Sequence, residues 1–353
     1  MSSAPRAPEQ RSDADGFGRT DGPAAALARL TDIISRSAAD LPTSSALHGI
    51  PHLLTRHQSM GLAFDQLRTL SQQATDTLTR ELARTCLGLT QELRREYEFF
   101  GGLHTLYDTI TSLPETVDAG EARAICDRAF LDVFKCVNYR IEGMHNIPRS
   151  GGNIIVLNHH TVHTYYTLPN SFQLTLDTHF VSSFLSYDIR GTSPLRAVRE
   201  SRATETAHNA YYNRLGHLIV KAPGSDHYDP ESRKARREAF FQEARNVLLS
   251  GTDILICHEG TSYASEDSPG PFRSGAFHLA AQVDPEPLIV PVAIANFDKR
   301  LPYHTLGVHI GKPFRASETV NTNNKVDMAH FLDRFRQEYK GHIEKATLLS
   351  TRK

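Results

Sequence analysis

The sequence predicts an α/β fold: a mostly parallel mixed sheet flanked by helices and preceded by a helical N-terminal domain. Two observations carry that prediction. From Val137 onward, short apolar runs alternate with amphipathic helical stretches, the pattern of a parallel sheet covered by helices. Before residue 130 the apolar residues instead recur at intervals of three and four, and no strand pattern is seen.

The elements follow in order. Residues 1–22 are rich in Ser, Pro, Gly, Asp and Arg, with Phe17 the one large apolar side chain after Met1, so a disordered tail is expected there. Leu27, Leu30 and Ile34 mark a first helix, with Pro23 near its first turn. Leu67, Leu70, Ala74, Leu78, Leu82, Leu89 and Leu93 mark a long helix over about 61–100, which Gly101-Gly102 should end. Ile125, Ala129 and Val133 mark a third helix, over about 119–135. The helical N-terminal domain is therefore placed at 23–136 and the α/β domain at 137–353. Val137, Tyr139 and Ile141 alternate with polar residues as a strand does. Further strands are expected at 153–157, 217–220, 254–257, 288–294 and 307–310. Helices are expected at 194–215, 231–250, 272–283 and 326–346.

Composition narrows the function. The 353 residues correspond to roughly two domains. Lys and Arg number 39 against 40 Asp and Glu, which argues against a nucleic-acid binder. No run approaches the roughly 18 apolar residues of a membrane span, and the first residues lack the apolar stretch of a secretory signal. Four irregularly spaced cysteines, without a C-x-x-C pair, exclude a disulfide scaffold or zinc ribbon and fit a reducing compartment. A cytoplasmic protein is expected. The basic run Arg233-Lys234-Ala235-Arg236-Arg237, on an expected helix, suits peripheral contact with anionic lipid or an acidic carrier protein.

Two strand ends carry the chemistry. Asn158-His159-His160-Thr161-Val162-His163 follows a short buried strand, at the carboxyl end where open α/β sheets place their sites. A histidine there can take a proton from a hydroxyl. His159 and His163, four apart, also raise a metal reading, but the Glu of H-E-x-x-H is missing and no metal is expected. The second strand end is Ile254–Cys257 followed by His258-Glu259-Gly260-Thr261-Ser262. Backbone N–H groups at a glycine turn can hold an anion, and Glu259 can orient that turn. Downstream, Arg273 is expected in the first turn of a helix, a plausible phosphate site. Lys221 ends another strand and offers a further cation. Cys257 can be a nucleophile or an inertly packed thiol. No G-x-S-x-G elbow, P-loop or G-x-G-x-x-G after a strand is present, which counts against serine hydrolases and nucleotide folds.

Taken together, the blocks resemble the glycerolipid acyltransferases of the lysophosphatidic acid acyltransferase type, from Val137 to about Arg315. The run 139–148 resembles that family's lead-in strand and turn. Asn158-His159 resembles the start of its N-H-x-x-x-x-D motif, and 216–221 its second block. His258-Glu259-Gly260-Thr261-Ser262 resembles F-P-E-G-T-R-S, 271–280 resembles F-K-x-G-A-x-x-L-A, and 287–292 resembles P-I-V-P-V. The helical N-terminal domain also resembles, in architecture, the soluble plastid-type glycerol-3-phosphate acyltransferases.

The resemblance implies an acyl chain moved from acyl-CoA or acyl carrier protein to a hydroxyl of a lipid or small-molecule acceptor, with no bound cofactor. It implies His159 as general base, with Thr164 at the position of the motif's Asp and His163 beside it. It implies an acceptor or phosphate site at Lys221, Glu259, Gly260, Thr261, Ser262 and Arg273. Two departures stand out: Thr164 replaces the Asp, and Ser262 replaces the Arg of E-G-T-R-S. No Asp or Glu lies between Asn153 and Asp177, so Asp177, Asp188 or Glu205 would have to reach His159 from elsewhere. The departures open a second reading, a catalytically weak member that binds lipid or an acyl carrier. A third is a metal-dependent hydrolase using His159, His160 and His163.

Overall fold

The structure, a computed structural model, describes residues 23–41, 45–54, 57–220, 230–301 and 304–351. The expected tail at 1–22 and Lys221 lie outside the described residues. The described chain forms two compact units that divide between Glu92 and Leu93. The first holds α1 (Pro23–Arg36), α2 (Ile50–Leu54), α3 (His57–Gln73) and α4 (Thr77–Leu89). The single long helix expected over 61–100 is in fact α3, α4 and the start of α5 (Gln91–Thr111). One break falls where Asp76 caps α4, its carboxylate accepting the Thr79 N–H at 2.7 Å.

The glycine pair does not end α5, which runs ten residues past Gly101. The reason is packing: a Cβ on Gly102 would lie 2.9 Å from Val133 Cγ2, so the missing side chain lets α5 pass close to α6 (Ala119–Val133). Phe99, Phe100, Leu103 and Leu106 of α5 and Cys126 and Phe130 of α6 share one core with the sheet.

The second unit contains seven strands: β1 (Tyr139–Glu142), β2 (Ile154–Leu157), β3 (Leu195–Arg199), β4 (Leu218–Val220), β5 (Ile254–Cys257), β6 (Ile289–Ala295) and β7 (Leu306–Ile310). Their order is β1-β7-β6-β2-β5-β3-β4, and every pairing is parallel except β6 with β7. The short β3 is a correction, since the sequence reading placed a helix over 194–215. Arg196 and Arg199 hide the strand pattern of L-R-A-V-R. The helix there, α9 (Thr206–Leu215), begins only after the strand, and α7 (Leu176–Ser182) and α8 (Asp188–Arg190) precede it. α10 (Pro230–Leu249), α11 (Gly275–Ala280) and α12 (Lys325–Thr351) complete the chain.

Strand pleating divides the sheet's side chains between two cores. Ile155, Leu157, Leu255, Val290 and Val292 face α5 and α6 in one. Ile154, Val156, Ile254, Ile289 and Ala293 join Phe277 of α11 and Phe331, Phe335 and Tyr339 of α12 in the other. The central strands are thus covered on both faces, which is why they read as unbroken apolar runs.

A buried ion pair anchors α5 to the loop after β6. Arg300 donates to Glu96 through Nε at 2.6 Å and through Nη2, and Tyr166 Oη donates to the same carboxylate at 3.3 Å. Glu96→Ala removes the buried carboxylate that Arg300 pairs with and should cost about 3–5 kcal/mol, as losing one partner of a buried pair does. Urea denaturation followed by circular dichroism measures it. A Glu96→Leu, Arg300→Met double variant should recover part of the loss.

Candidate active site

The site is assembled at the carboxyl ends of β2 and β5, neighbours in parallel register with Leu157 opposite Cys257. Asn158, fully buried just past β2, sets the direction of the loop. Its Oδ1 accepts the Ile294 N–H at 2.9 Å, its Nδ2 donates to the Ile294 carbonyl at 3.2 Å, and its own N–H donates to Tyr339 Oη at 2.9 Å. Side-chain bonds thereby continue the β2–β6 ladder where the backbone turns away. The next residue, His159, is aimed into a cavity with a fifth of its side chain exposed.

The glutamate after β5 holds the same loop. Glu259 is buried; its Oε2 accepts the His159 N–H at 2.6 Å and its Oε1 accepts the Gly270 N–H at 2.6 Å. It therefore ties the loop after β2 to the connection between β5 and α11 and acts as a positioning residue. Gly260 adopts φ +74°, which favours glycine, and the Arg273 side chain lies on it. Further on, the Tyr263 N–H donates to the His159 carbonyl at 2.8 Å and the Thr161 N–H to the Tyr263 carbonyl at 3.0 Å. Among the described residues the N–H groups of Thr261 and Ser262 have no partner, so the turn offers free donors.

The carboxylate partner of His159 is Asp177. His159 Nδ1 lies 2.7 Å from Asp177 Oδ2, the pair expected when Nδ1–H donates to the carboxylate. Asp177 is buried in the first turn of α7, and its position is fixed by two backbone donors, His160 N–H at 2.8 Å and Thr178 N–H at 2.7 Å. Burial presses the His159 pKa down, but the Asp177 carboxylate and neighbouring Cys257 outweigh it, leaving the imidazole well above its ordinary 6.5. Asp177, despite its burial, stays below the ordinary carboxylate value because His159 faces it.

The remaining sequence candidates are placed as follows. Thr164 is exposed on a one-turn 3₁₀ helix, and His163 caps that helix, its Nδ1 accepting the Tyr165 N–H at 3.1 Å. Neither is bonded to His159, so both part from the arrangement expected of the motif. His160 turns away, its Nε2 3.2 Å from Asn158 Nδ2, and the three histidines do not converge on one point. Asp188 is exposed on α8, and Glu205 is held by Arg199 in a two-pronged ion pair. Arg273 is exposed just before α11 rather than in its first turn.

Two adjoining cavities of about 660 and 520 Å³ share His159, Thr175, Arg199, His208, Tyr212 and Ser262. The larger adds Gly260, Thr261 and Arg273 at one side and Val198, Phe240, Leu255 and Ala276 at another. An apolar wall, cations and free N–H groups thus surround one imidazole. Arg196, which also lines this cavity, was missed by the sequence reading. It is buried, with Nε donating to His217 Nε2 at 2.9 Å and Nη1 to Thr178 Oγ1 at 3.1 Å.

Residues 138–295 match the family model described as Acyltransferase. No curated protein matches the chain. Among solved structures, the chain is similar to the 1-acyl-sn-glycerophosphate (LPA) acyltransferase PlsC from Thermotoga maritima. The identity is 14% and the TM-score 0.44, over 72% of this chain and 96% of that one.

Proposed function

We propose, from the match of residues 138–295 to the acyltransferase family model, that the chain moves an acyl chain from a thioester, acyl-CoA or acyl carrier protein, to a hydroxyl (or amine) acceptor. The observation that carries this reading is the 2.7 Å contact between His159 and buried Asp177, with His159 lining both cavities. In the proposed reaction His159 Nε2 takes the acceptor's proton, the alkoxide attacks the thioester carbonyl, and the imidazolium returns its proton to the leaving thiolate. Asp177 holds the ring's tautomer and stabilises the imidazolium as it forms.

The acyl chain suits the wall of Val198, Phe240, Leu255 and Ala276. A glycerol phosphate or lysophospholipid headgroup suits Arg273 with the free N–H groups of Thr261 and Ser262. Ser262 itself adds a hydroxyl where the resemblance expects a guanidinium. The alternative, a catalytically weak member that binds lipid or an acyl carrier, is motivated by Thr164 and Ser262 in place of the motif's Asp and Arg; the Asp177 carboxylate beside His159 speaks against the first motive and leaves the second.

Peripheral contact with an anionic membrane remains part of the proposal. Lys234 and Arg236 are exposed on α10, where Lys234 lies 3.8 Å from Glu238 and Arg236 4.0 Å from Glu200. Among the described residues no helix is long and apolar enough to cross a membrane.

Free-thiol release from acyl-CoA and acyl carrier protein thioesters, each with lysophosphatidic acid, glycerol 3-phosphate or a non-phosphorylated alcohol, tests the reading. Acceptor-dependent release is expected, and its complete absence across the panel would sink the proposal. The same assay yields a pH profile. His159 must be unprotonated to act as a base, and Asp177 stabilises the protonated form. The acid limb of kcat/KM should therefore rise with pH through an inflexion above 6.5. An inflexion below that value would show that the carboxylate does not charge the ring.

A further inference from the structure

We propose that Arg196 sets the charge selectivity of the site, its guanidinium receiving an anionic oxygen, of a phosphate or a carboxylate, carried by the hydroxyl acceptor. The inference rests on the acyltransferase reading above and names the acceptor class within it. Arg196 lies on β3, is only 3% exposed, and lines the same 660 Å³ cavity as His159. Two residues that its guanidinium meets line that cavity as well. Thr178 Oγ1 accepts from Nη1 at 3.1 Å, and the Tyr212 ring centre is 5.7 Å from Cζ.

An arginine at such depth calls for a counter-charge, because taking an unpaired ion out of water costs several kcal/mol. Elsewhere in the fold the need is met: Arg190 pairs with Asp253, Arg199 with Glu205 and Arg300 with Glu96. Among the described residues Arg196 has no carboxylate within ion-pair distance, and its partners are neutral. Nε donates to His217 Nε2 at 2.9 Å, and burial presses the His217 pKa well below 6.5. His179 Nδ1 is 3.0 Å from Nη1, but the same nitrogen lies 2.7 Å from the Thr175 carbonyl. A carbonyl only accepts, so Nδ1 carries the proton and cannot accept from Arg196. Nη2 has no partner among the described residues.

Two nearby groups do not fill the role. Asp127 shares with Arg196 a void of about 10 Å³, room for about one water, but makes no ion pair with it. Its Oδ1 accepts from Ser182 at 2.8 Å and Ser183 at 3.0 Å, and burial raises its pKa, which weakens it as a counter-ion. Arg273 lines the cavity too, but it is exposed, and water screens its charge. The desolvated guanidinium therefore separates a charged guest from a neutral one more sharply, and its planar fork matches a carboxylate or phosphate.

The test compares kcat/KM for glycerol 3-phosphate, glycerate and glycerol, which differ in charge on one three-carbon skeleton. The donor is octanoyl-CoA or the acyl carrier thioester that supports turnover, and lysophosphatidic acid against monoacylglycerol extends the series. The native protein should prefer the phosphate or the carboxylate to the neutral alcohol, and the larger of the two ratios identifies the anion. Arg196→Met should lower that ratio roughly 10- to 100-fold, the worth of a hydrogen bond to a charged group. Arg196→Lys, which keeps the charge, should restore part of it. If methionine prevents folding, Arg196→Gln, which keeps a donor for His217, repeats the comparison. A ratio left unchanged while the rates for charged and neutral acceptors fall together would make Arg196 a structural residue and overturn the assignment. A native protein indifferent to acceptor charge would overturn it as well, and in both cases acyl transfer itself stands. No thiol release with any acceptor would overturn both.

Discussion

His159→Ala should reduce acceptor-dependent thiol release on the order of 10⁶-fold, the scale seen when the base of a hydroxyl-activating triad is removed. The size follows from how little else in the site can move a proton. His160 faces Asn158, His163 caps a turn, and His258 is buried with its pKa pushed down to about 3 by burial. His208 lines both cavities but is bonded to Ser201, and burial lowers its pKa. Alanine at 159 leaves the backbone bonds of the loop, Glu259 to the 159 N–H and Tyr263 to the 159 carbonyl, in place. The variant should therefore keep its loop and fold while losing its rate, with a lowered thermal midpoint because buried Asp177 loses its partner. A rate within tenfold of native would mean that a different group is the base.

Asp177→Asn should be the second largest loss, about 10⁴-fold in kcat, because an amide holds the imidazole in the wrong tautomer and cannot stabilise the imidazolium. Asparagine keeps one acceptor oxygen, so either His160 N–H or Thr178 N–H can still be satisfied. The sign of the accompanying pH effect is fixed. Without the carboxylate, burial loses its main opponent at His159, so the acid limb of the residual activity should move to lower pH. A loss of rate with an unmoved inflexion would indicate that Asp177 only shapes the loop. The profile therefore separates the electrostatic role from the structural one.

The outcome at Asp177 also marks where the sequence was legible. β2, β5 and β6 could be read because strands buried on both faces leave apolar runs, and His159 and Glu259 could be placed because they follow those runs directly. β3 was hidden because Arg196 turns inward to His217 and Thr178, so a charged letter occupies a buried position. Asp177 could be named among three carboxylates but not chosen. Its approach depends on a segment, 164–175, that folds through short turns with little periodic pattern, including Ser171 at φ +64°. Local spacing cannot foresee a return of that kind. The glycine pair in α5 misled for the opposite reason: the close approach of Val133, not a helix end, requires Gly102.

The bond between Asn158 and Tyr339 has a kinetic consequence. The buried N–H that begins the loop after β2 finds its acceptor 181 residues later in sequence, in α12, and the same hydroxyl donates to Val292 of β6. Left without that partner, a buried donor costs about 1–3 kcal/mol. Contacts of such long sequence separation require large loops to close before they contribute, and they form slowly. Until α12 seats on the sheet, the loop ahead of His159 lacks the bonds between Asn158 and Tyr339. Competence for chemistry should then appear only with the last packing step, so a refolding chain would regain its secondary structure before it regains turnover.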